Sequence, residues 1–182
     1  PAPDVGTNSQ IMVWMMDTYM NMHNQIDKNA QKRIVTGKSL ASGGSRGRDK
    51  ATGQGVVYCI QEWADERGFR LDGSTYILQG FGNVGSHTAQ IMSRLGSVLT
   101  AVQDHTGSIY NPEGIYPRKL IDYVNETGGV AGYPGAETIE NEEFWGVDCD
   151  IAIPAALELQ VDANVAQQLK CRLLVEAANG PT

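Results

Sequence analysis

A glycine-rich hexapeptide, GFGNVG, is the first candidate for chemistry in this sequence, at residues 80–85. A short run at residues 74–79 that is typical of a β-strand precedes it, and a helix-compatible segment follows. The spacing G-x-G-x-x-G between a strand and a helix is typical of a loop that binds a dinucleotide. Gly80 permits the tight turn, Gly82 lets a pyrophosphate approach the backbone, and Gly85 lets the helix pack closely on the strand. The cofactor-binding prediction covers the whole loop: Gly80, Phe81, Gly82, Asn83, Val84 and Gly85.

An acidic residue lies where a dinucleotide site requires one. Asp104 follows the glycine loop by about 20 residues and ends a second apolar run. A carboxylate there can accept a hydrogen bond from a ribose 2′-OH and repels a 2′-phosphate. His105 can instead donate to a phosphate, and no Arg or Lys lies between Gln103 and Pro117. The sequence therefore predicts NAD as the preferred cofactor, with NADP as the alternative.

A basic, glycine-rich stretch forms the second candidate site. Six cations lie between Gln31 and Lys50 against the single acid Asp49: Lys32, Arg33, Lys38, Arg46, Arg48 and Lys50. The guanidinium of Arg48 can bind a carboxylate or phosphate through two hydrogen bonds. Thr52 can cap the next helix or offer its hydroxyl to a ligand. The stretch predicts an anion-facing wall, and a solvated loop is the alternative.

Composition limits the classes of function. The chain has 182 residues, 41% of them apolar, and a net charge of −7. This balance predicts one domain or one and a half, with neither nucleic acid nor a membrane as partner. The three cysteines lack metal or disulfide spacing, which predicts buried, reduced thiols, no metal site and an intracellular protein. Because the first residue is Pro1 rather than Met, the sequence does not decide whether the protein carries a targeting segment. The expected location is the cytoplasm, or the mitochondrial matrix in a eukaryote.

The elements that must position these residues alternate between helix and strand. Hydrophobic periodicity predicts helices at residues 8–29, 52–67, 84–95, 117–126 and 162–169. Strands are predicted at residues 74–79, 98–103, 149–153 and 172–175. This order predicts an α/β, Rossmann-like, doubly wound and mostly parallel sheet with helices on both faces.

Five segments in this order resemble the glutamate branch of the glutamate/leucine/phenylalanine/valine dehydrogenase family. They are TGKSLASGGSRGRDKATGQGV, GFGNVG, DHTGSIYNPEGI, VDCDIAIPAALELQ and VEAANGPT. The resemblance covers essentially the whole chain. It implies reversible oxidative deamination of L-glutamate to 2-oxoglutarate and ammonia, with hydride transfer to a nicotinamide, and self-association as a hexamer. It also implies that residues 1–35 end a preceding catalytic domain and that residues 36–182 form the nucleotide-binding domain.

The resemblance implies roles for single residues near the start of the chain. PAPD resembles the family motif that carries a catalytic aspartate, which makes Asp4 the residue for proton transfer. Thr36 and Arg48 match residues that line the substrate pocket, and Thr52 matches one beside the nicotinamide carboxamide.

Further implied roles lie near the end of the chain. Ala155 and Ala156 match a loop that passes the cofactor ribose, and Asn179 matches a residue near the nicotinamide; an Asn-Gly turn is the alternative for Asn179. Leu159 stands where members of the family often carry Asn. The family's catalytic and substrate-binding lysines are expected in a domain outside this sequence. The chain alone is therefore expected to be inactive, and a non-catalytic dinucleotide-binding module is the alternative function.

Overall fold

The chain forms two compact units. The structure, a computed structural model, describes residues 1–4, 6–23 and 27–182. The units are Pro1–Ala51 and Thr52–Thr182. The functional domain boundary predicted after residue 35 stays a prediction, whereas the basic stretch up to Lys50 belongs to the first compact unit.

Over the range predicted to be one helix, the described residues of the first unit form two α-helices. Helix α1 spans Ser9–Met22, and the side chain of Asn8 caps it by accepting from the N–H groups of Gln10 and Ile11. It ends at Met22 because His23 adopts an extended backbone conformation (φ −119°, ψ 103°). Helix α2 spans Lys28–Gln31, and residues 24–26 of the predicted helix lie outside the described residues. The prediction of one continuous helix over residues 8–29 was therefore wrong.

The second unit is built on a six-stranded sheet. Its strands are β1 Thr75–Gln79, β2 Val98–Asp104, β3 Gly107–Tyr110, β4 Glu137–Ile139, β5 Ile151–Pro154 and β6 Leu173–Leu174. The order across the sheet is β4-β3-β2-β1-β5-β6. Strands β2, β1, β5 and β6 are parallel, while β3 and β4 are antiparallel to their neighbours. The mostly parallel sheet is confirmed, and the antiparallel hairpin at one edge is an addition to it.

Helical layers cover both faces of this sheet. Helices α3 (Ala51–Arg67), α4 (Asn83–Arg94) and α5 (Pro117–Thr127) bury apolar residues against the face of Tyr76 and Leu78. Helix α6 (Ala163–Gln168) and the 3₁₀ turn Asn141–Gly146 pack on the face of Ile77. Because β1 is buried on both faces, its sequence is a continuous apolar run rather than an alternating one. The predicted α/β architecture is confirmed.

The cysteines differ from the prediction in burial. Cys149 is buried and Cys171 is half-buried, but Cys59 is exposed on α3, so the prediction of three buried thiols was wrong for Cys59. Burial raises the pKa of the Cys149 thiol to about 12. A thiol with such a pKa is protonated at neutral pH and is a poor nucleophile.

Two classes of feature are not found within the described ranges. No helix there combines the length and hydropathy that crossing a bilayer requires. Those residues also form no group of three or more His, Cys, Asp or Glu side chains that could hold a metal ion.

Candidate functional site

The candidate site lies at the carboxyl edge of the parallel strands, where the chain changes direction across the sheet. From β1 the chain passes through α4 to β2 on one side, whereas β5 pairs with β1 on the other side. A crevice between diverging loops at such a point is where open α/β sheets bind ligands. Gly80 follows β1 and Ala155 follows β5. A Cβ on Gly80 would lie 2.7 Å from the carbonyl oxygen of Ala155, so the two loops touch here.

The glycine loop has the geometry that its spacing predicts. Gly80 has φ +91°, a conformation that favours glycine. A Cβ on Gly85 would lie 1.9 Å from the carbonyl oxygen of Gly80, so only glycine allows α4 to start so close to the strand. By contrast, apart from Gly82 and its two chain neighbours, none of the described residues has a heavy atom within 4 Å of a Cβ placed on Gly82. Phe81 is buried in the core beneath the loop and holds it in place.

The start of α4 is open to a negatively charged ligand. The helix begins at Asn83, and no side chain caps it among the described residues. Uncapped N–H groups at a helix start carry a partial positive charge and bind phosphates. Asn83 is exposed and Val84 half-buried at this end. The residues present therefore fit a pyrophosphate at Gly82.

Thr52 precedes a close contact between α3 and α4. The next residue, Gly53, packs α3 against the first turns of α4: a Cβ on Gly53 would lie 3.0 Å from the Val84 carbonyl oxygen and 3.0 Å from the Thr88 nitrogen. Thr52 itself is exposed.

The carboxylate of Asp104 is already engaged within its own fold. Its Oδ1 accepts from the Thr106 N–H at 2.7 Å and from the Thr106 hydroxyl at 2.5 Å, and its Oδ2 accepts from the Val130 N–H at 3.0 Å. Only 9% of the side chain is exposed, against 77% for His105. Asp104 therefore ties the β2–β3 turn to the loop after α5. A ribose hydroxyl would have to share Oδ2 with Val130, and His105 is the more accessible of the two side chains.

The loops after β5 and β6 bring three further predicted residues to the same edge. The Ala155 N–H donates to the Gln79 carbonyl at 2.7 Å, which holds Ala155 and Ala156 beside the glycine loop. The N–H groups of Leu159 and Val161 donate to the carbonyls of Gly180 and Pro181 at 3.0 and 2.7 Å. Asn179 is exposed and precedes Gly180, so it also lies along this edge.

Leu159 adopts a left-handed backbone conformation (φ +54°), which brings Cβ close to a backbone carbonyl oxygen and is costly for a side chain that cannot hydrogen-bond to the local backbone. Because Asn tolerates this region better than Leu, we expect Leu159→Asn to raise the free energy of unfolding by about 1 kcal/mol. For a chain of this size that corresponds to an increase in Tm of roughly 2–4 °C in thermal denaturation. Leu157→Asn is the matched control, since Leu157 is also exposed but lacks the positive φ. Equal changes in both variants would contradict this explanation.

Three glutamine side chains form a network that the sequence reasoning missed. The Gln79 Nε2 donates to Gln103 Oε1 and to Gln160 Oε1, each at 3.1 Å. The Gln103 amide is oriented by its own donation to the Asn141 carbonyl at 3.1 Å. Gln79 Oε1 consequently points elsewhere and is buried without a donor among the described residues. The signal in the sequence that could have indicated this network was the polar residue Gln79, which ends a strand directly before the glycine loop.

The first unit brings two predicted residues close together. The Thr36 N–H donates to the Pro1 carbonyl at 2.9 Å. A Cβ on Gly37 would lie 2.3 Å from the Pro3 ring, so the PAPD segment packs along Thr36 and Gly37. Asp4 is exposed at the end of this segment, in a turn where the Thr7 hydroxyl donates to the Asp4 carbonyl at 2.8 Å.

The basic stretch is a compact loop with an accessible guanidinium. A Cβ on Gly44 would lie 2.0 Å from the Lys38 carbonyl oxygen, so the loop closes tightly on itself. Arg48 is exposed after Gly47, and the ion pairs found in the described part of the chain do not include it. An unpaired cation on an ordered loop suits the binding of a carboxylate.

A separate cavity of about 510 Å³ lies beside edge strand β4. Its lining includes Glu137, Glu143 and Asp148. These carboxylates repel phosphate, so the cavity does not compete with the carboxyl edge as a dinucleotide site.

Comparison with known proteins relates the chain to one enzyme family. Residues 43–182 match the family model described as glutamate/leucine/phenylalanine/valine dehydrogenase. The chain is 44% identical over 182 residues to a cryptic catabolic NAD-specific glutamate dehydrogenase of Bacillus subtilis, covering 100% of the chain and 42% of that protein. It is 47% identical over 184 residues to a glutamate dehydrogenase of Thermotoga maritima, covering 100% of the chain and 43% of that protein. The chain thus spans about two fifths of the length of these relatives.

Solved structures show the same similarity. The structure superimposes on the hetero-hexameric glutamate dehydrogenase of Thermus thermophilus in its leucine-bound form with a TM-score of 0.87 and 33% identity, covering 99% of this chain and 42% of that one. For a glutamate dehydrogenase of Plasmodium falciparum the TM-score is 0.86 at 30% identity, covering 100% of this chain and 40% of that one.

Proposed function

The chain belongs to the glutamate/leucine/phenylalanine/valine dehydrogenase family, and on that premise we propose that it is the dinucleotide-binding part of an NAD-dependent glutamate dehydrogenase. The observation that carries this proposal is the pairing of open space at Gly82 with the uncapped start of α4 at the carboxyl edge of the sheet. The name NAD-specific, which belongs to the relative from Bacillus subtilis, supports the choice of NAD.

The proposed reaction is the reversible oxidative deamination of L-glutamate to 2-oxoglutarate and ammonia. Bound NAD supplies the hydride acceptor, and the protein supplies binding, orientation and proton transfer. In this proposal Arg48 and Thr36 bind the substrate, and Asp4 transfers protons when it lies within hydrogen-bond reach of the amine or of water. Thr52, Ala155, Ala156 and Asn179 contact the nicotinamide nucleoside.

Assembly and location are part of the same proposal. The Thermus thermophilus protein is described as a hetero-hexamer, which supports self-association of the enzyme to which this chain belongs. We propose a cytoplasmic enzyme, because two of the relatives are bacterial.

Two measurements test the proposal. Isothermal titration calorimetry of the full chain should show binding of NAD, and absence of binding would contradict the proposal. An assay for glutamate-dependent NADH formation separates the enzyme from the alternative, a non-catalytic dinucleotide-binding module. The enzyme is supported if the chain binds NAD and a longer protein that includes the chain forms NADH from glutamate. The binding module is supported if the chain binds NAD but neither the chain nor the longer protein forms NADH.

The buried charge of Asp104 predicts the preference for NAD over NADP. A 2′-phosphate brings negative charge toward this carboxylate, at a cost of about 1 kcal/mol per charge pair at roughly 4 Å in water. We expect Asp104→Ser and Asp104→Asn to narrow the ratio of NAD to NADP affinity by about fivefold, measured by calorimetry. Asn keeps an acceptor for Thr106 or Val130, so the Asn variant should lose less stability than the Ser variant. An unchanged ratio in both variants would assign the discrimination to another residue.

A further inference from the structure

Gln79 and Gln160, whose side chains are joined by a hydrogen bond, lie within the proposed dinucleotide site. Gln79 is the last residue of β1, directly before the glycine loop, and Gln160 lies in the loop after β5. One hydrogen bond between side-chain amides therefore joins the end of β1 to the loop after β5. A second bond between the same segments runs from the Ala155 N–H to the Gln79 carbonyl.

The orientation of the Gln79 amide is imposed by its neighbours. The Gln103 Nε2 donates to the Asn141 carbonyl and to the Ser108 hydroxyl, so its Oε1 must face Gln79. Gln79 consequently turns its Nε2 toward both Gln103 and Gln160. The cost of this arrangement is the buried Gln79 Oε1, which has no donor among the described residues. The two hydrogen bonds that Gln79 Nε2 donates therefore hold the amide in this orientation.

The segment that Gln160 anchors is under backbone constraint. Leu159, the residue before Gln160, has φ +54°. The N–H groups on either side of Gln160, those of Leu159 and Val161, bond to the carbonyls of Gly180 and Pro181. The Gln79 contact thus determines where residues 155–161 lie relative to the glycine loop, while Gly180 and Pro181 tie the same segment to the Asn179 turn.

The two sides of the crevice differ in what they can contact. Asp104 ends β2 and His105 follows it on one side of β1, whereas residues 155–161 follow β5 on the other side. A dinucleotide with its pyrophosphate at Gly82 places one nucleoside on each side. With the adenosine ribose toward Asp104, as proposed above, the nicotinamide nucleoside lies against residues 155–161.

We propose that Gln79 and Gln160 are positioning residues for the nicotinamide half of the dinucleotide. By holding the loop after β5 against β1, they preorganise the wall on which the nicotinamide nucleoside rests. This inference rests on the proposed function. It assigns to the pair a selective effect on one half of the ligand, which a residue needed only for stability would not have.

Calorimetry with NAD and ADP separates the two halves of the ligand. Gln160→Met removes the bond to Gln79 with little change in side-chain volume. We expect the affinity for NAD to fall by about fivefold, the value of one net hydrogen bond, while the affinity for ADP stays unchanged. Gln167→Met is the matched control, since Gln167 is an exposed glutamine on α6. We expect Gln167→Met to leave both affinities unchanged.

A double-mutant cycle with Gln79→Met tests whether the two residues act through each other. The loss in the double variant should be smaller than the product of the two single losses, because both changes remove the same bond. If Gln79→Met does not fold, Gln160→Met and Gln160→Ser decide the question. Equal losses for NAD and ADP, or no loss for either, would overturn the positioning role. Failure of the unmodified chain to bind either nucleotide would instead overturn the proposed function.

Discussion

Replacement of Gly82 by valine is expected to weaken dinucleotide binding by at least about 100-fold without unfolding the protein. Beyond Gly82 and its chain neighbours, the described residues have no heavy atom within 4 Å of a Cβ placed there, and φ is −79°, so a valine is compatible with the local fold. Its methyl groups would occupy the position proposed for the pyrophosphate at the start of α4. Two lost charge-assisted hydrogen bonds of about 1.5 kcal/mol each correspond to this factor.

Gly85→Ala is the matched contrast within the same loop. Here the new Cβ would lie 1.9 Å from the Gly80 carbonyl oxygen, so the helix and the strand must move apart. Overpacking of this kind costs about 1–3 kcal/mol or more of stability. Thermal denaturation should therefore show a lower Tm for Gly85→Ala and little change for Gly82→Val, while calorimetry shows the loss of NAD binding in Gly82→Val. Unchanged NAD affinity in the Gly82→Val variant would show that the glycine loop does not bind the dinucleotide.

Loss of the Arg48 guanidinium is expected to weaken substrate binding by roughly ten- to 150-fold. A charge-assisted hydrogen bond to a carboxylate is worth about 1.5–3 kcal/mol, and each 1.4 kcal/mol is a factor of about ten in affinity. Arg48 is exposed, and none of the ion pairs in the described residues uses it, so removing its side chain leaves no partner carboxylate uncompensated. The measurement is the KM for glutamate of the active enzyme with Arg48→Ala.

Arg46→Ala provides the control for charge alone. Arg46 is also exposed and lies two residues away in the same basic loop. If the loop attracts glutamate only through its net charge, both variants raise KM equally and high salt removes the difference from the unmodified enzyme. A specific contact predicts a large effect for Arg48→Ala and a small one for Arg46→Ala. Indifference of the kinetics to Arg48→Ala would make it part of a solvated basic surface.

The alternating helices and strands of the second unit were predictable from the sequence because their signals are local. Helices α3, α4, α5 and α6 and strands β1, β2, β5 and β6 begin and end within two residues of the predicted bounds. The glycine loop was also predictable from the sequence. Glycine is required at positions 80 and 85 because a Cβ there would contact residues close in sequence or on the neighbouring loop.

The elements that the sequence did not reveal depend on distant partners. Strands β3 and β4 are only four and three residues long, and their structure comes from pairing across the sheet edge. Helix α1 ends at Met22 although helix-compatible residues follow it. Neither outcome has a strong local signal in propensity or periodicity.

By itself, the sequence determined the α/β architecture, the glycine loop and the candidate residues around it, because residue type and spacing encode backbone freedom and apolar faces. Only the tertiary structure decided how those side chains are used. It joins Asp104 to Val130 and Gln79 to Gln160, two pairs that lie 26 and 81 positions apart in the sequence. Hydrogen bonds between residues so far apart in the chain depend on how the strands are ordered in the sheet, and no local pattern records that order.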